Sequence, residues 1–246
     1  MANITTTILY EDEIKSLNKK YAFLENIDPE SPAFRNWNYK YAHPLGYKKI
    51  KKLSIIFIGQ TGYGKSSLIN KLIHNDIFKT SDYQSCTKGL HSADYFLHHR
   101  NKAEKVAYSL SFIDLPGIGE NDKADRQYLN WYQNYIKEAS VIIYLFRADK
   151  RDHSQDEFFF NNVFDKKKAH NLICVLSQAD KIEPINRDIV LSDIQKENLK
   201  KKKQDIRDKS FLDFGDIDID IVPVSTHLDI NIEKLEDKII SKLKEL

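Results

Sequence analysis

Nine consecutive residues, Gly59-Gln60-Thr61-Gly62-Tyr63-Gly64-Lys65-Ser66-Ser67, combine three glycines with a lysine and two serines. Glycines let a backbone wrap tightly, so that several N–H groups converge on one anion. The lysine adds a mobile cation that reaches outer phosphates, and the Ser66 hydroxyl is the hard oxygen ligand that magnesium takes. The spacing Gly59-x-x-x-x-Gly64-Lys65-Ser66 is the phosphate-binding loop pattern. The apolar run 55–58 precedes it, and Leu68, Ile69, Leu72 and Ile73 follow at helical spacing. The loop therefore joins a strand to a helix, whose N-terminal dipole brings roughly half a positive charge to the same spot. A second chemical group follows at Asp114-Leu115-Pro116-Gly117. Asp114 closes an apolar run, a place where a carboxylate can hold magnesium through water. Gly117, lacking a side chain, lets its N–H approach a terminal phosphate. That contact is lost when the phosphate leaves, which makes the following loop a switch.

These residues need a scaffold, and the rest of the sequence describes one. From Lys51 onward, strand-like runs (LSIIFIG, ADYFLHH, KVAYSLSFID, SVIIYLF, NLICVLS, IDIDIVPVS) alternate with helix-like stretches over 65–76, 124–138, 154–168, 187–209 and 231–244. Several of the strands are apolar throughout, as expected when helices cover both faces. The expectation is an α/β fold with a mostly parallel six-stranded sheet and right-handed crossovers. Residues 1–49 differ from the rest. Ile14, Leu17, Tyr21 and Leu24 recur at helical spacing, with Thr7 or a neighbour as N-cap. DPESP then breaks the chain before an aromatic-rich stretch without a clear period. The predicted division is an N-terminal helical extension over 1–49 and a main domain over 50–246. The four lysines 200–203 read as a solvated helix face, with phosphate binding as the alternative.

Composition narrows the classes. The 246 residues are 41% hydrophobic, enough for one well-buried domain. Charge reaches 30% yet nearly cancels at a formal +2, which disfavours a nucleic-acid partner. Two cysteines build no disulfide framework, and Cys174 lies in the core-like run LICVL, which fits a reducing, cytoplasmic home. No apolar stretch approaches the ~20 residues that span a bilayer. The first fifteen residues lack the basic start and apolar core of a secretory leader.

With these motifs in place, the chain from about residue 51 to 246 resembles a TRAFAC-class P-loop GTPase of the Era-like group, most similar to its YfjP-like bacterial members. GQTGYGKSSLIN is similar to the first motif of that family and DLPGIGE to the third. The resemblance implies a G domain that binds GTP or GDP with Mg2+. It also implies that Ser85-Cys86-Thr87-Lys88 is the first switch, with Thr87 meeting magnesium and the γ-phosphate. Thr80 is the competing candidate. The fourth motif departs: where relatives carry Asn-Lys-x-Asp, this chain has Ser177-Gln178-Ala179-Asp180, followed by Lys181. Asp180 keeps the carboxylate that accepts from two neighbouring N–H donors of guanine, a pair adenine lacks. Gln178 stands where a lysine stem would lie along the base. Ser225-Thr226 resembles the fifth motif, whose backbone N–H meets the guanine oxygen. Arg147-Ala148-Asp149-Lys150-Arg151-Asp152 resembles an aspartate-rich stretch of the family.

The resemblance thus points to catalysis by Lys65, Thr87, Asp114 and Gly117, with Ser66, Thr87 and Asp114 as metal ligands. Behind Gly117 stands Ile118, whose apolar side chain cannot orient a water. The expected activity is slow hydrolysis of GTP by a molecular switch, completed by a partner or a nucleotide-dependent homodimer. Two alternatives stay open: a module that holds GTP or GDP with negligible hydrolysis, and an ATP-using P-loop enzyme. An effector protein is implied but not named.

Overall fold

The computed structural model describes residues 4–9, 15–28, 31–37, 49–80, 89–97, 106–119, 122–185 and 190–246. Its spine is strand β3 (Lys49–Gly59), whose side chains from Leu53 onward are buried on both faces. Leu53, Ile55 and Phe57 enter one apolar cluster, and Ile56 and Ile58 enter the other. That explains the unbroken apolar run, because a strand covered on both sides has no polar face to show.

The remaining strands are β1 (Ile4–Leu9), β2 (Arg35–Trp37), β4 (Leu90–Leu97), β5 (Val106–Asp114), β6 (Val141–Arg147), β7 (Leu172–Ser177) and β8 (Ile221–Pro223). They form an eight-stranded sheet in the order β1-β4-β5-β3-β6-β7-β8, with β2 added to β3. The β4–β5 and β2–β3 pairs are antiparallel and the others parallel. Helices α1 (Lys15–Tyr21), α2 (Lys65–Ile73) and α6 (Ile232–Lys244) cover one face. Helices α3 (Asp122–Glu138), α4 (Ser154–Asn162) and α5 (Asp193–Arg207) cover the other. This is the α/β architecture expected, with two strands more than the six read from the sequence.

Both extra strands come from the N-terminal segment, so its reading as a helical extension needs correction. The run ITTTIL is almost wholly β-branched, which favours an extended backbone over the N-cap assigned to Thr7. It pairs in parallel with β4, Ile4 opposite Leu90 and Leu9 opposite Tyr95. β2 uses a gap in the sheet: β6 pairs with β3 only at 55–59, and β2 covers positions 50–52 on the stretch of that edge before it. The helical spacing was real but short. Leu17, Tyr21 and Leu24 are buried, and α1 gives way to a 3-10 turn over Ala22–Asn26. Ile14 lies outside the described residues. Leu9, Leu17, Tyr21, Leu24 and Phe34 join the same cluster as Leu53 and Phe112, so this segment packs into the core of the main sheet.

Elsewhere the expected helices are trimmed at their ends. α4 stops at Asn162, ahead of a 3-10 turn over Lys166–Asn171. α5 starts behind Ser192, which forms a capping box with Gln195.

Candidate functional site

The glycine-rich loop leaves β3 at Gly59 and enters α2 at Lys65. Gly59, Gly62 and Gly64 all take positive φ, values of 154°, 79° and 83°. Gly64 is the N-cap of α2 and has no side chain with which to cap the first turn. In α5, by contrast, Ser192 and Gln195 occupy the corresponding groups. A helix start left without a side-chain cap, beside a concave backbone, is suited to an anion. Lys65 is 6% exposed and folds back on its own loop, donating to the Gly59 carbonyl at 3.0 Å and the Gln60 carbonyl at 3.2 Å. The Ser66 Oγ donates to Asp114 Oδ2 at 2.5 Å, across 48 residues of sequence. A hydroxyl and a carboxylate converging beside a phosphate cradle are hard oxygen donors of the kind magnesium prefers, and they fit that ion. Ser67 is half-buried behind them.

Gly117 lies directly against the phosphate loop. A Cβ on it would fall 2.0 Å from Thr61 Oγ1 and 2.7 Å from the Thr61 backbone nitrogen, so only glycine fits. The next residue ties the two segments together: Ile118 N–H donates to the Gly59 carbonyl (3.2 Å), and Thr61 N–H donates to the Ile118 carbonyl (3.3 Å). The Ile118 side chain turns into the core beside Tyr132 and Phe159, 6% exposed. The Tyr132 hydroxyl pins the turn by donating to the Pro116 carbonyl at 2.8 Å. Tyr63 is buried, and among the described residues its hydroxyl meets no hydrogen-bond partner. Thr87 and its neighbours 81–88 lie outside the described residues, and Thr80 is exposed.

The third cluster forms where β7 and β8 end. Ser177 Oγ donates to the Phe146 carbonyl at 2.9 Å, bracing the turn against β6. Gln178 sits in the left-handed region at φ 52°, and its Nε2 reaches back to the Gly62 carbonyl at 2.8 Å. Asp180 is 2% exposed, and its Oδ1 accepts from Ser225 Oγ at 2.6 Å. The Ser225 hydroxyl in turn accepts from Leu228 N–H at 3.1 Å, holding the loop that carries the partly exposed Thr226. Lys181 follows on the same 3-10 turn. Arg147 grips Asp149 through two hydrogen bonds of 2.6 and 2.7 Å. That pairing, aided by Lys181, holds the Asp149 carboxyl below its ordinary range. The loop from Gly59 to Ser67, Asp114, Gly117, Gln178, Asp180, Lys181, Ser225 and Thr226 thus gather at the C-terminal ends of β3, β5, β7 and β8.

One group in this region escaped the sequence reading. Asp156, on α4, is fully buried. Its Oδ1 accepts from Gln60 Nε2 (3.2 Å) and from the Tyr144 hydroxyl (2.8 Å), and its Oδ2 lies 3.0 Å from His153 Nδ1. An acid amid FFF was the only available hint. The lysine run also resolves: Lys203 pairs with Asp220 at 2.6 Å, and Lys202 Nζ lies 3.0 Å from His153 Nε2. Among the described residues this run touches acids and an imidazole, and its partners are structural.

Comparison with known proteins identifies a family for the chain. The family profile described as 50S ribosome-binding GTPase matches residues 54–178, which run from the phosphate loop through the turn bearing Gln178. The chain belongs to this GTPase family. Among relatives of the family, the uncharacterized protein YfjP of Escherichia coli (strain K12) is 32% identical over 145 residues, 59% of this chain and 48% of its own length. GTPase Era of Buchnera aphidicola subsp. Schizaphis graminum is 29% identical over 186 residues, 75% of this chain and 55% of that protein. The chain therefore spans about half the length of these curated relatives. In the fold, it is similar to Era in complex with MgGDPNP and 16S ribosomal RNA (TM-score 0.57, 22% identity, 78% of this chain and 57% of that one). It is also similar to the structure titled for dimerization of the chloroplast translocon components atToc33 and psToc159 (TM-score 0.60, 17% identity, 94% and 90%). As a family member, the chain keeps the glycine loop and Asp-x-x-Gly in contact. The Gln178 side chain straps the same loop through the Gly62 carbonyl.

Proposed function

We propose that this chain binds GTP and GDP with Mg2+ and hydrolyses GTP slowly, as a nucleotide-dependent switch. The observation that carries the reading is the meeting of Ser66 and Asp114 at 2.5 Å beneath a glycine loop. Magnesium, when bound, would supply charge neutralisation between β- and γ-phosphates. Ser66 would be its direct ligand, Asp114 would hold it through water, and Thr87 is the third candidate. Lys65 would leave the Gly59 and Gln60 carbonyls for the phosphates. The Ile118–Thr61 hydrogen bond would be exchanged as Gly117 turns its N–H to the γ-phosphate. Asp180, fixed by Ser225, would accept from the two guanine N–H donors, and Lys181 and Thr226 would border the base. Residues 50–246 form the nucleotide-binding unit in this reading, and the N-terminal segment buttresses its sheet.

Among the described residues beside Gly117, Ile118 is buried and cannot orient a water. A partner or a second copy is therefore proposed to complete catalysis, as dimerization is important for the GTPase activity of the chloroplast translocon components atToc33 and psToc159. The same burial favours a second reading, a guanine-nucleotide module with negligible turnover. Single-turnover hydrolysis with and without magnesium separates the two. The primary test is binding of a fluorescent GDP analogue: Lys65→Ala is expected to abolish it, and unaltered affinity would refute the phosphate-loop assignment. Excess ATP should fail to displace GDP. No helix among the described residues is long and apolar enough to cross a membrane, and the cytoplasm is the proposed location.

A further inference from the structure

We infer that Asp156 is a positioning residue for the phosphate loop, acting through Gln60; the inference rests on the nucleotide-binding reading above. Gln60 stands at the joint of the site. Its carbonyl accepts from Lys65, and its backbone forms an isolated parallel bridge with Ile118 of the Asp-x-x-Gly segment. Whatever fixes the Gln60 side chain therefore fixes the entry to the loop, the resting place of the lysine and the contact with the switch. That anchor is the Asp156 carboxylate, fully buried and saturated by three groups from three places: Gln60 Nε2, the Tyr144 hydroxyl on β6 and His153 Nδ1.

The direction of each hydrogen bond follows from donor counting. The Lys202 ammonium carries donors only, so the His153 Nε2 that lies 3.0 Å from it must accept. The remaining imidazole proton then sits on Nδ1 and is donated to Asp156 Oδ2. The imidazole is thereby held between Lys202 on α5 and the Asp156 carboxyl on α4. Lys202 is itself drawn toward Asp205, 3.7 Å away. Tyr63, a second phosphate-loop residue, feels the same carboxylate: burial first, then Asp156, raises its phenol above the ordinary range. Both loop residues thus face one acid that neither β3 nor α2 supplies.

A buried acceptor preorganises a flexible loop best when its other bonds are already satisfied, because it then has one geometry to offer. Asp156 meets that condition. Gln60, half-exposed on a loop, does not hold its own rotamer without it.

The test is a double-mutant cycle on magnesium-dependent affinity for fluorescent GDP, with melting temperatures recorded alongside. Asp156→Ala and Gln60→Leu are each expected to weaken Kd about tenfold, the worth of one charge-assisted hydrogen bond. The double variant should be no weaker than the worse single one, because both act on one contact. Effects that multiply toward a hundredfold, or an unchanged Kd in a folded Asp156→Ala, would overturn the inference. A merely structural Asp156 would lower the melting temperature without this non-additivity. If Asp156→Ala does not fold, Gln60→Leu decides alone: it must weaken Kd at an unaltered melting temperature, and normal affinity overturns the proposal. Tight binding by the wild type with multiplying effects sinks only the role of Asp156. No binding by the wild type sinks the nucleotide reading as well.

Discussion

Gln178 keeps one of two things that a lysine at its position would do. It donates to the Gly62 carbonyl and so ties the base-side turn to the phosphate loop, across 116 residues of sequence. It lacks the long stem that would lie along a purine face. Its Oε1 is buried with no hydrogen-bond partner among the described residues, a feature no sequence pattern discloses. Guanine selectivity is therefore expected to rest on Asp180. Asp180→Asn should lower GTP affinity by about 100-fold, the loss of a charge-assisted bond pair, and raise preference for xanthosine nucleotide. Competition between the two nucleotides for the variant checks this; equal GTP affinity in variant and wild type would remove Asp180 from base recognition. The type and place of Lys65, Ser66, Asp114, Gly117 and Asp180 were legible because their chemistry depends on spacing along one segment. The partnership of Gln60 with Asp156 was not, because nothing local marks which glutamine faces which acid.

Among the elements, β3 and β4 are joined across β5 by a buried ion pair between Lys52 and Asp94. Burial lowers the lysine pKa, while Asp94 works to raise it. Removing the cation leaves Asp94 charged in a dry sheet beneath α3, so Lys52→Met should cost about 3 kcal/mol of stability. Denaturant unfolding measures it, and a loss within error of zero would show that water reaches the pair. The far edge carries a milder charge cluster. Asp220, just before β8, accepts from Lys203 of α5 (2.6 Å) and Lys238 of α6 (2.8 Å). Partial burial opposes its ionisation, but the two lysines outweigh it and hold its pKa at about 2. A depressed folded pKa contributes stability above the unfolded value near 3.9, lost as pH falls through about 2. Wild type should therefore melt above Asp220→Asn between pH 5 and 7, and the gap should close toward pH 2. A gap independent of pH would mean the lysines act through packing alone. β1 shows the limits of periodicity at this scale. The β-branched run ITTTIL leans to an extended backbone, but it becomes a strand only where a partner edge, that of β4, is available.

At the scale of the molecule, one sheet brings four strand ends to one rim, and the family match over residues 54–178 covers the segments that form most of it. With Ile118 in the core, isolated turnover should be slow, on the order of 10⁻³ to 10⁻⁴ per second. Specific activity is expected to rise with protein concentration if a second copy completes the site. Fast turnover independent of concentration would overturn that view of Ile118. The sequence by itself determined the α/β alternation and the family's motif segments, the glycine loop and Asp-x-x-Gly, and set Asp180 after a buried strand. Each depends on local period or fixed spacing, which a linear chain records directly. Only the tertiary structure decided that the N-terminal segment adds two strands, that Ile118 is core, that Gln178 straps Gly62 and that Asp156 holds Gln60. Those outcomes depend on which distant surfaces meet, and burial and hydrogen-bond saturation select among them only once the sheet is assembled.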